Sequence, residues 1–244
     1  MRKIMVVTSA YGRQQVREKG GQQALLPVIS AAGADGVEIR RELFDAHELT
    51  RLSELGAAIA AQRLDAFYSV PEALLMTDGT LNPNMAQRLD EARQLGAQLI
   101  KFAVGHFLPG VSERALQAVP CDPQLALVVE NDQTSDGSLA AIESVPLPAG
   151  ISGLTFDIGN WLWLGEDPQK AARQLADRVR YIHIKAVQRH QQALHTVALD
   201  DSDGSWRTVL SQLPADIPRG IEFPLEGDDL VAVTRRYVDL LREE

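Results

Sequence analysis

Residues 125–131 read LALVVEN, an apolar run of the length of one buried strand that stops at the carboxylate of Glu130. Near-continuous aliphatic runs of this kind are the signature of parallel strands covered on both faces. Three later segments repeat the design: GLTFDIGN (153–160) carries Asp157, VRYIHIKA (179–186) carries His183, and RGIEFP (219–224) carries Glu222. Each places one metal-competent side chain at the end of a strand. Two glutamates, an aspartate and a histidine converging from four parallel strands would form an oxygen-rich pocket with one nitrogen, suited to a hard or borderline divalent cation. Singly, each residue has a plainer reading, since strand-end carboxylates often cap the next helix and strand histidines are often only hydrogen-bonded. Together, at successive strand ends about one strand-helix unit apart, they favour a site.

Outward from this stretch the chain alternates strand and helix. Ile4–Ser9 reads as a first strand and Gln22–Ala32 as a helix with Leu25, Leu26, Val28 and Ile29 on its buried face, stopped by Gly33. DGVEIR (35–40) is a second strand, followed by helical spacing over Leu49–Ala61. A third strand, Leu64–Val70, precedes a helix over Pro83–Leu95 ended by Gly96, and a fourth, Leu99–Ala103, precedes a short helix at Ser112–Ala118. The segment Asp132–Ser138 after the fifth strand is turn-rich. Asp167 and Pro168 open a helix to Leu175, Tyr181–Lys185 is the seventh strand, and Gln188–Gly204 reads as a long polar loop. Ser205–Leu213, Gly220–Phe223 and Leu230–Leu241 complete the series as helix, eighth strand and helix. Eight strands alternating with helices without a composition break predict an α/β chain, a (β/α)₈ TIM barrel in one domain over 1–244. A doubly wound sheet is the competing layout, but TSAYGRQ after the first strand is not the glycine-rich phosphate turn such sheets usually carry.

Composition bounds the function. Hydrophobic residues make up 45% and aromatics only 5%, so the core is aliphatic. A formal charge of -9 argues against a phosphate backbone as ligand, so no nucleic acid is expected. The single cysteine, Cys121, excludes an intramolecular disulfide and has no partner at zinc-site spacing. The apolar run in MRKIMVVTSAYG is too short for a signal peptide and no stretch reaches membrane-span length, which predicts a cytoplasmic protein with no membrane partner.

The set VVEN, FDIGNW, YIHIKA and GIEF resembles the sugar phosphate isomerase/epimerase family, whose members have a xylose isomerase-like barrel. The resemblance covers nearly the whole chain and is specific to the superfamily, not to one substrate. It implies that Glu130, Asp157, His183 and Glu222 bind one divalent metal (Mn, Mg or Co, with Zn also compatible), and that Glu130 and Glu222 act as acid and base. The DGSW segment, Asp203–Trp206, resembles the family's turn into the helix before the eighth strand. Two departures stand out: Asn160 occupies a place where many ketose epimerases carry histidine, and Ala186 one where the family often has aspartate. Arg189 stands where the epimerases often place a substrate-binding arginine. A metal-dependent endonuclease shares the barrel but usually needs more histidines than the five here, and a positive groove.

Chemistry supplies its own reason for the pattern. A cation on a carbonyl and its neighbouring hydroxyl stabilises the enediolate left when the adjacent proton leaves, and two carboxylates flanking that plane can remove and return it. The expectation is a metal-dependent isomerase or epimerase of a small carbohydrate-like molecule, with a homodimer one compatible assembly. Loss of a β-hydroxyl on the same site would make it a dehydratase, and ligands that failed to converge would favour a non-catalytic sugar-binding barrel. Expected substrate contacts are Lys185, which strand alternation puts on the side of His183, with Arg189, His106, Glu38, Asn160 and Trp161; Arg40 is a further candidate beside Glu38. Trp163 reads as packing, Trp206 as packing or as part of a wall that keeps water out, and His190 and His195 as loop residues without a role.

Overall fold

The computed structural model describes residues 2–191 and 193–244; Met1 of the signal-like stretch and Gln192 of the polar loop lie outside it. Strands β1 (Ile4–Val7), β2 (Gly36–Arg40), β3 (Asp65–Leu75), β4 (Leu99–Gly105), β5 (Ala126–Glu130), β6 (Gly153–Asp157) and β7 (Val179–Ile184) each pair in parallel with the next. A further pair, β8 (Ala186–His190) and β9 (Ala193–Val197), stands apart as an antiparallel hairpin. Strand β10 (Arg219–Ile221) joins β7 to β1 and closes the ring. The described residues thus form a closed eight-stranded parallel barrel flanked by helices, as the strand count predicts.

The helices are α1 (Arg13–Glu18), α2 (Leu26–Ala31), α3 (Leu52–Ala61), α4 (Met85–Gln94), α5 (Ser112–Gln117), α6 (Leu139–Ser144), α7 (Asn160–Trp163), α8 (Pro168–Leu175), α9 (Ser205–Leu210) and α10 (Leu230–Glu243). Asp167 caps α8 as expected, its Oδ1 accepting the Gln169 amide at 2.9 Å. Three differences from the sequence reading have local causes. The polar loop contains the β8–β9 hairpin, whose turn places Gln191 at φ 54 without the glycine or asparagine that would announce it. Helix α6 spans under two turns and starts from a Ser138 cap, too short to show a period. Strand β3 runs on past Pro71 to Leu75 through a register shift between Ser69 and Ala73.

Alternation along the strands sorts the core into two parts. Ile4, Val6, Val37, Ile39, Ile100, Phe102, Leu127, Val129, Leu154, Phe156, Ile182 and Ile184 face the helices and belong to one large apolar cluster. The inward residues Met5, Phe67, Leu99, Val128 and Tyr181 form a separate apolar floor inside the barrel. Above that floor the inward positions are polar: Glu38, Ser69, Lys101, Thr155, Asp157 and His183 are all buried. The site is therefore the upper part of the barrel interior, at the C-terminal ends of the strands.

Candidate metal centre

The last inward position of each strand supplies the chemistry. Glu130 ends β5, Asp157 ends β6, His183 is the penultimate residue of β7 and Glu222 follows β10 directly. One ligand atom from each lies within 4.8 Å of the others. His183 Nδ1 is 2.8 Å from Glu130 Oε1, 3.0 Å from Glu222 Oε2 and 4.0 Å from Asp157 Oδ2. Glu130 Oε1, His183 Nδ1 and Glu222 Oε2 are buried and make no hydrogen bond. Such orphans are costly unless a partner completes them. Three buried donor atoms of metal-ligating type, pointed at one another and with only the Lys185 ammonium as a further neighbour at Glu222 Oε2, fit a divalent cation between them.

The opposite edge of each ligand is clamped. Lys101, buried on β4, donates to Glu130 Oε2 at 2.6 Å, and Arg40 at the end of β2 donates to Glu222 Oε1 at 2.6 Å. Asp157 Oδ1 accepts the backbone amides of Gly159 and Asn160 at 2.8 and 3.0 Å, so the carboxylate also starts α7. Asn131 brackets the end of β6, giving to the Asp157 carbonyl at 3.0 Å and taking from its amide at 2.8 Å. Lys185, just past β7, donates to Asp157 Oδ2 at 2.7 Å and stands 2.9 Å from Glu222 Oε2.

These contacts set the charge states. Burial favours neutral carboxyls, yet Lys101 and His183 hold Glu130 down at about 2. Glu222 is likewise kept well below the usual carboxylate range, against its burial, by Lys185, His183 and Arg40. At Asp157 burial prevails, helped by Glu222 and Glu130, and raises the group to about 7 against the pull of Lys185. Burial disfavours the imidazolium of His183, but Glu38 and Glu222 outweigh it and lift its pKa well above the ordinary value.

The other expected contacts fall in different places. Glu38 does not face a substrate space: it is 1% exposed, and its Oε2 is 2.7 Å from His183 Nε2. Asn160 is occupied as scaffold, giving to the Asn131 carbonyl at 2.8 Å and accepting from Gln133 at 3.0 Å and Lys185 at 3.2 Å. Trp161 is fully buried against Phe156, ring centroids 5.3 Å apart, and so packs beneath the loops instead of walling the mouth. His106 is exposed on the rim, bound to Asp136 at 3.0 Å, away from the four ligands. Arg189 is exposed on the hairpin and makes no hydrogen bond or ion pair among the described residues. Lys185 points inward with His183 as expected, but it is engaged with two of the ligands. Lys101 was not singled out by the sequence reading; its signal is a lone cation in the apolar run LIKFAV.

No protein-family model matches the chain, and no curated protein matches it by sequence. Solved structures do match over nearly its full length. A xylose isomerase domain protein from Planctomyces limnophilus aligns over 99% of this chain and 96% of its own at 20% identity, with a TM-score of 0.67. The fold is that of the xylose isomerase-like barrels. Two others with this barrel are a D-allulose 3-epimerase from Methylomonas sp. (14% identity, 99% and 96% coverage, TM-score 0.66) and a probable 3-DHS dehydratase involved in petrobactin synthesis from Bacillus anthracis (13%, 99% and 99%, 0.63). Among the described residues no helix is long and apolar enough to cross a membrane.

Proposed function

We propose that this xylose isomerase-like barrel is a metal-dependent isomerase or epimerase of a small sugar or related hydroxy-carbonyl compound. The observation that carries the reading is the convergence of the buried Glu130 Oε1, His183 Nδ1 and Glu222 Oε2, none of them hydrogen-bonded, with Asp157 beside them, at the C-terminal mouth of the barrel. Glu130, Asp157, His183 and Glu222 would hold Mn²⁺, Mg²⁺ or Co²⁺, three carboxylates and one imidazole suiting such ions, and Zn²⁺ is compatible. The cation would supply Lewis-acid stabilisation of the negative charge that develops beside a carbonyl.

Glu130 and Glu222 serve as the proton-transfer pair. Each has one oxygen fixed by a cation, Lys101 or Arg40, and the other turned inward, so each base is held in place. Their strands, β5 and β10, are separated around the ring by β6 and β7, so a molecule between them shows a different face to each. Both are held ionised, ready to take a proton. Asp157 and His183 act as ligands only. A cavity of about 290 Å³ lined by Ser9, Ala10, Lys185, Thr196, Glu222 and Phe223 opens over Glu222. That is near the lower limit of ordinary ligand pockets, about 300–1,000 Å³, and suits a small substrate.

The test is a metal-supplemented panel of ketoses, keto acids and inososes followed by NMR in D₂O. Deuterium incorporation abolished by chelation, and lost in Glu130→Gln and Glu222→Gln while calorimetric metal binding is largely kept, is the expected result. Release of water from the substrate would instead identify a dehydratase of a keto-polyol. Near wild-type exchange in both variants would remove the glutamates as acid and base and favour a binding barrel.

A further inference from the structure

His183 stands between two groups of carboxylates. Nδ1 faces Glu130, Glu222 and Asp157, while Nε2 meets Glu38 alone, at 2.7 Å. Glu38 and His183 are 1% and 0% exposed, so no water competes for that contact. The imidazole that binds a cation is the neutral one, with one N–H and one lone pair, and the partner of one nitrogen decides the role of the other. A proton on Nε2, given to Glu38 Oε2, leaves the Nδ1 lone pair directed at the cluster. A flip of the ring would put carbon at both places.

Packing holds the same orientation. The Tyr181 ring stands edge-on to the imidazole, centroids 4.9 Å apart and planes at 78°. On the neighbouring strand Gly220 leaves the necessary room: a Cβ there would lie 2.2 Å from Tyr181 Oη and 3.0 Å from His183 Cδ2. The four residues that could hold a cation do not include Glu38.

We infer that Glu38 is a positioning residue for the metal centre: it fixes His183 as the Nε2–H tautomer and presents Nδ1 as the nitrogen ligand. This rests on the reading of the four-residue cluster as a metal site, but not on any particular reaction. Carboxylates behind a metal-bound histidine fix its orientation and raise its basicity, and their loss typically lowers metal affinity about 10–100-fold.

The experiment uses the full chain loaded with Zn²⁺, with ¹⁵N-labelled histidine for NMR and calorimetry for affinity. In the wild type, the His183 signal should show a protonated Nε2 with a proton shift typical of a carboxylate hydrogen bond, and no proton on Nδ1. Glu38→Leu should bind Zn²⁺ about 10–100-fold more weakly. Glu38→Gln, whose amide oxygen can still accept from Nε2–H, should recover most of that loss and keep the tautomer. A metal-free Glu38→Leu that unfolds no more easily than wild type would separate positioning from general stability. Zn²⁺ affinity unchanged in Glu38→Leu overturns the inference while leaving the proposed function standing. If Glu38→Leu does not fold, the wild-type spectrum decides, since a proton on Nδ1 or none on Nε2 overturns it. A wild type that binds no divalent cation overturns both readings; metal binding with the stated tautomer but no turnover of any hydroxy-carbonyl compound overturns only the proposed function.

Discussion

Replacing Lys185 by methionine should tighten divalent-metal binding. Its ammonium lies 2.7 Å from Asp157 Oδ2 and 2.9 Å from Glu222 Oε2, with side-chain exposures of 12%, 0% and 12% for Lys185, Asp157 and Glu222. At an effective dielectric of about 20, unit charges this close attract by roughly 6 kcal/mol per pair before desolvation is charged against them. Removing one partner of a buried pair costs about 3–5 kcal/mol net. Once a divalent cation neutralises the two carboxylates, the lysine has little left to attract, so Lys185→Met destabilises the metal-free state far more than the loaded one. Part of that difference is lost because Asp157, already raised to about 7, takes up a proton when the lysine leaves. A remainder of about 1.5–3 kcal/mol corresponds to roughly 10–100-fold tighter binding. Calorimetric titration of chelator-treated protein with Mn²⁺ at pH 8, above the wild-type Asp157 value of about 7, reads the affinity; urea unfolding of the metal-free forms reads the destabilisation. Equal or weaker Mn²⁺ binding by Lys185→Met would refute the reasoning, and would mean that the lysine holds Asp157 ready for the metal instead of competing with it.

Two further outcomes follow from contacts elsewhere in the barrel. Gly220→Ala should cost about 1–3 kcal/mol in urea unfolding, as overpacking does, and should weaken metal binding, because the new methyl would press on Tyr181 Oη and the His183 ring; an unchanged midpoint with unchanged affinity counts against the packed orientation of that ring. Glu91, on α4, is tied to Arg41 at 2.8 Å, Arg88 at 2.9 Å and Tyr68 at 2.7 Å, and Glu91→Gln should destabilise by about 2–4 kcal/mol. Burial would raise its pKa, but the hydrogen bonds from Arg41 and Tyr68 lower it. A depressed carboxyl stabilises the fold above its unfolded pKa and loses that contribution as pH falls through the folded value. The stability gap between wild type and Glu91→Gln should therefore be constant at neutral pH and narrow below about pH 4; a gap that widens with acid contradicts it.

The convergence of Glu130, Asp157, His183 and Glu222 was legible because a barrel delivers successive strand ends to one face, so that strand-end chemistry maps directly onto a shared place. Lys185 was placed on the inner side by its alternation with His183. Its partners were not legible, since Asp157 and Glu222 lie on other strands. Glu38 shows the limit most clearly: the sequence puts a carboxylate at the end of β2, but its partner is 145 residues away, and nothing local says whether it meets a substrate or a histidine. Lys101 could have been found, because a cation between Ile100 and Phe102 in a barrel strand has only the interior to face. Arg189 follows from the family resemblance and His106 from its place in the loop after β4, and positions beyond a strand's end are set by loop geometry. The hairpin carrying Arg189 turns through a non-glycine residue at positive φ, which no turn signal in the sequence announces.

The charge pattern around the ligands adds a reason for the proposed chemistry that the ligand list alone does not contain. Inside the mouth, Glu38, Glu130, Asp157 and Glu222 face Arg40, Lys101 and Lys185, leaving out Glu42 at the solvent-facing rim. With all four carboxylates ionised and His183 neutral, the form in which its nitrogen could bind a cation, the set is one charge negative, and each carboxylate is hydrogen-bonded on one side. A divalent cation turns the same set one charge positive. In a water-poor interior that surplus favours a molecule that becomes negative as it reacts, as a hydroxy-carbonyl compound does on losing the proton beside its carbonyl. The clamps from Lys101 and Arg40 also mean that Glu130 and Glu222 need not reorganise when the charge moves. The lysines and arginine thus supply the fixed positions, and a bound divalent cation would supply the sign of the field.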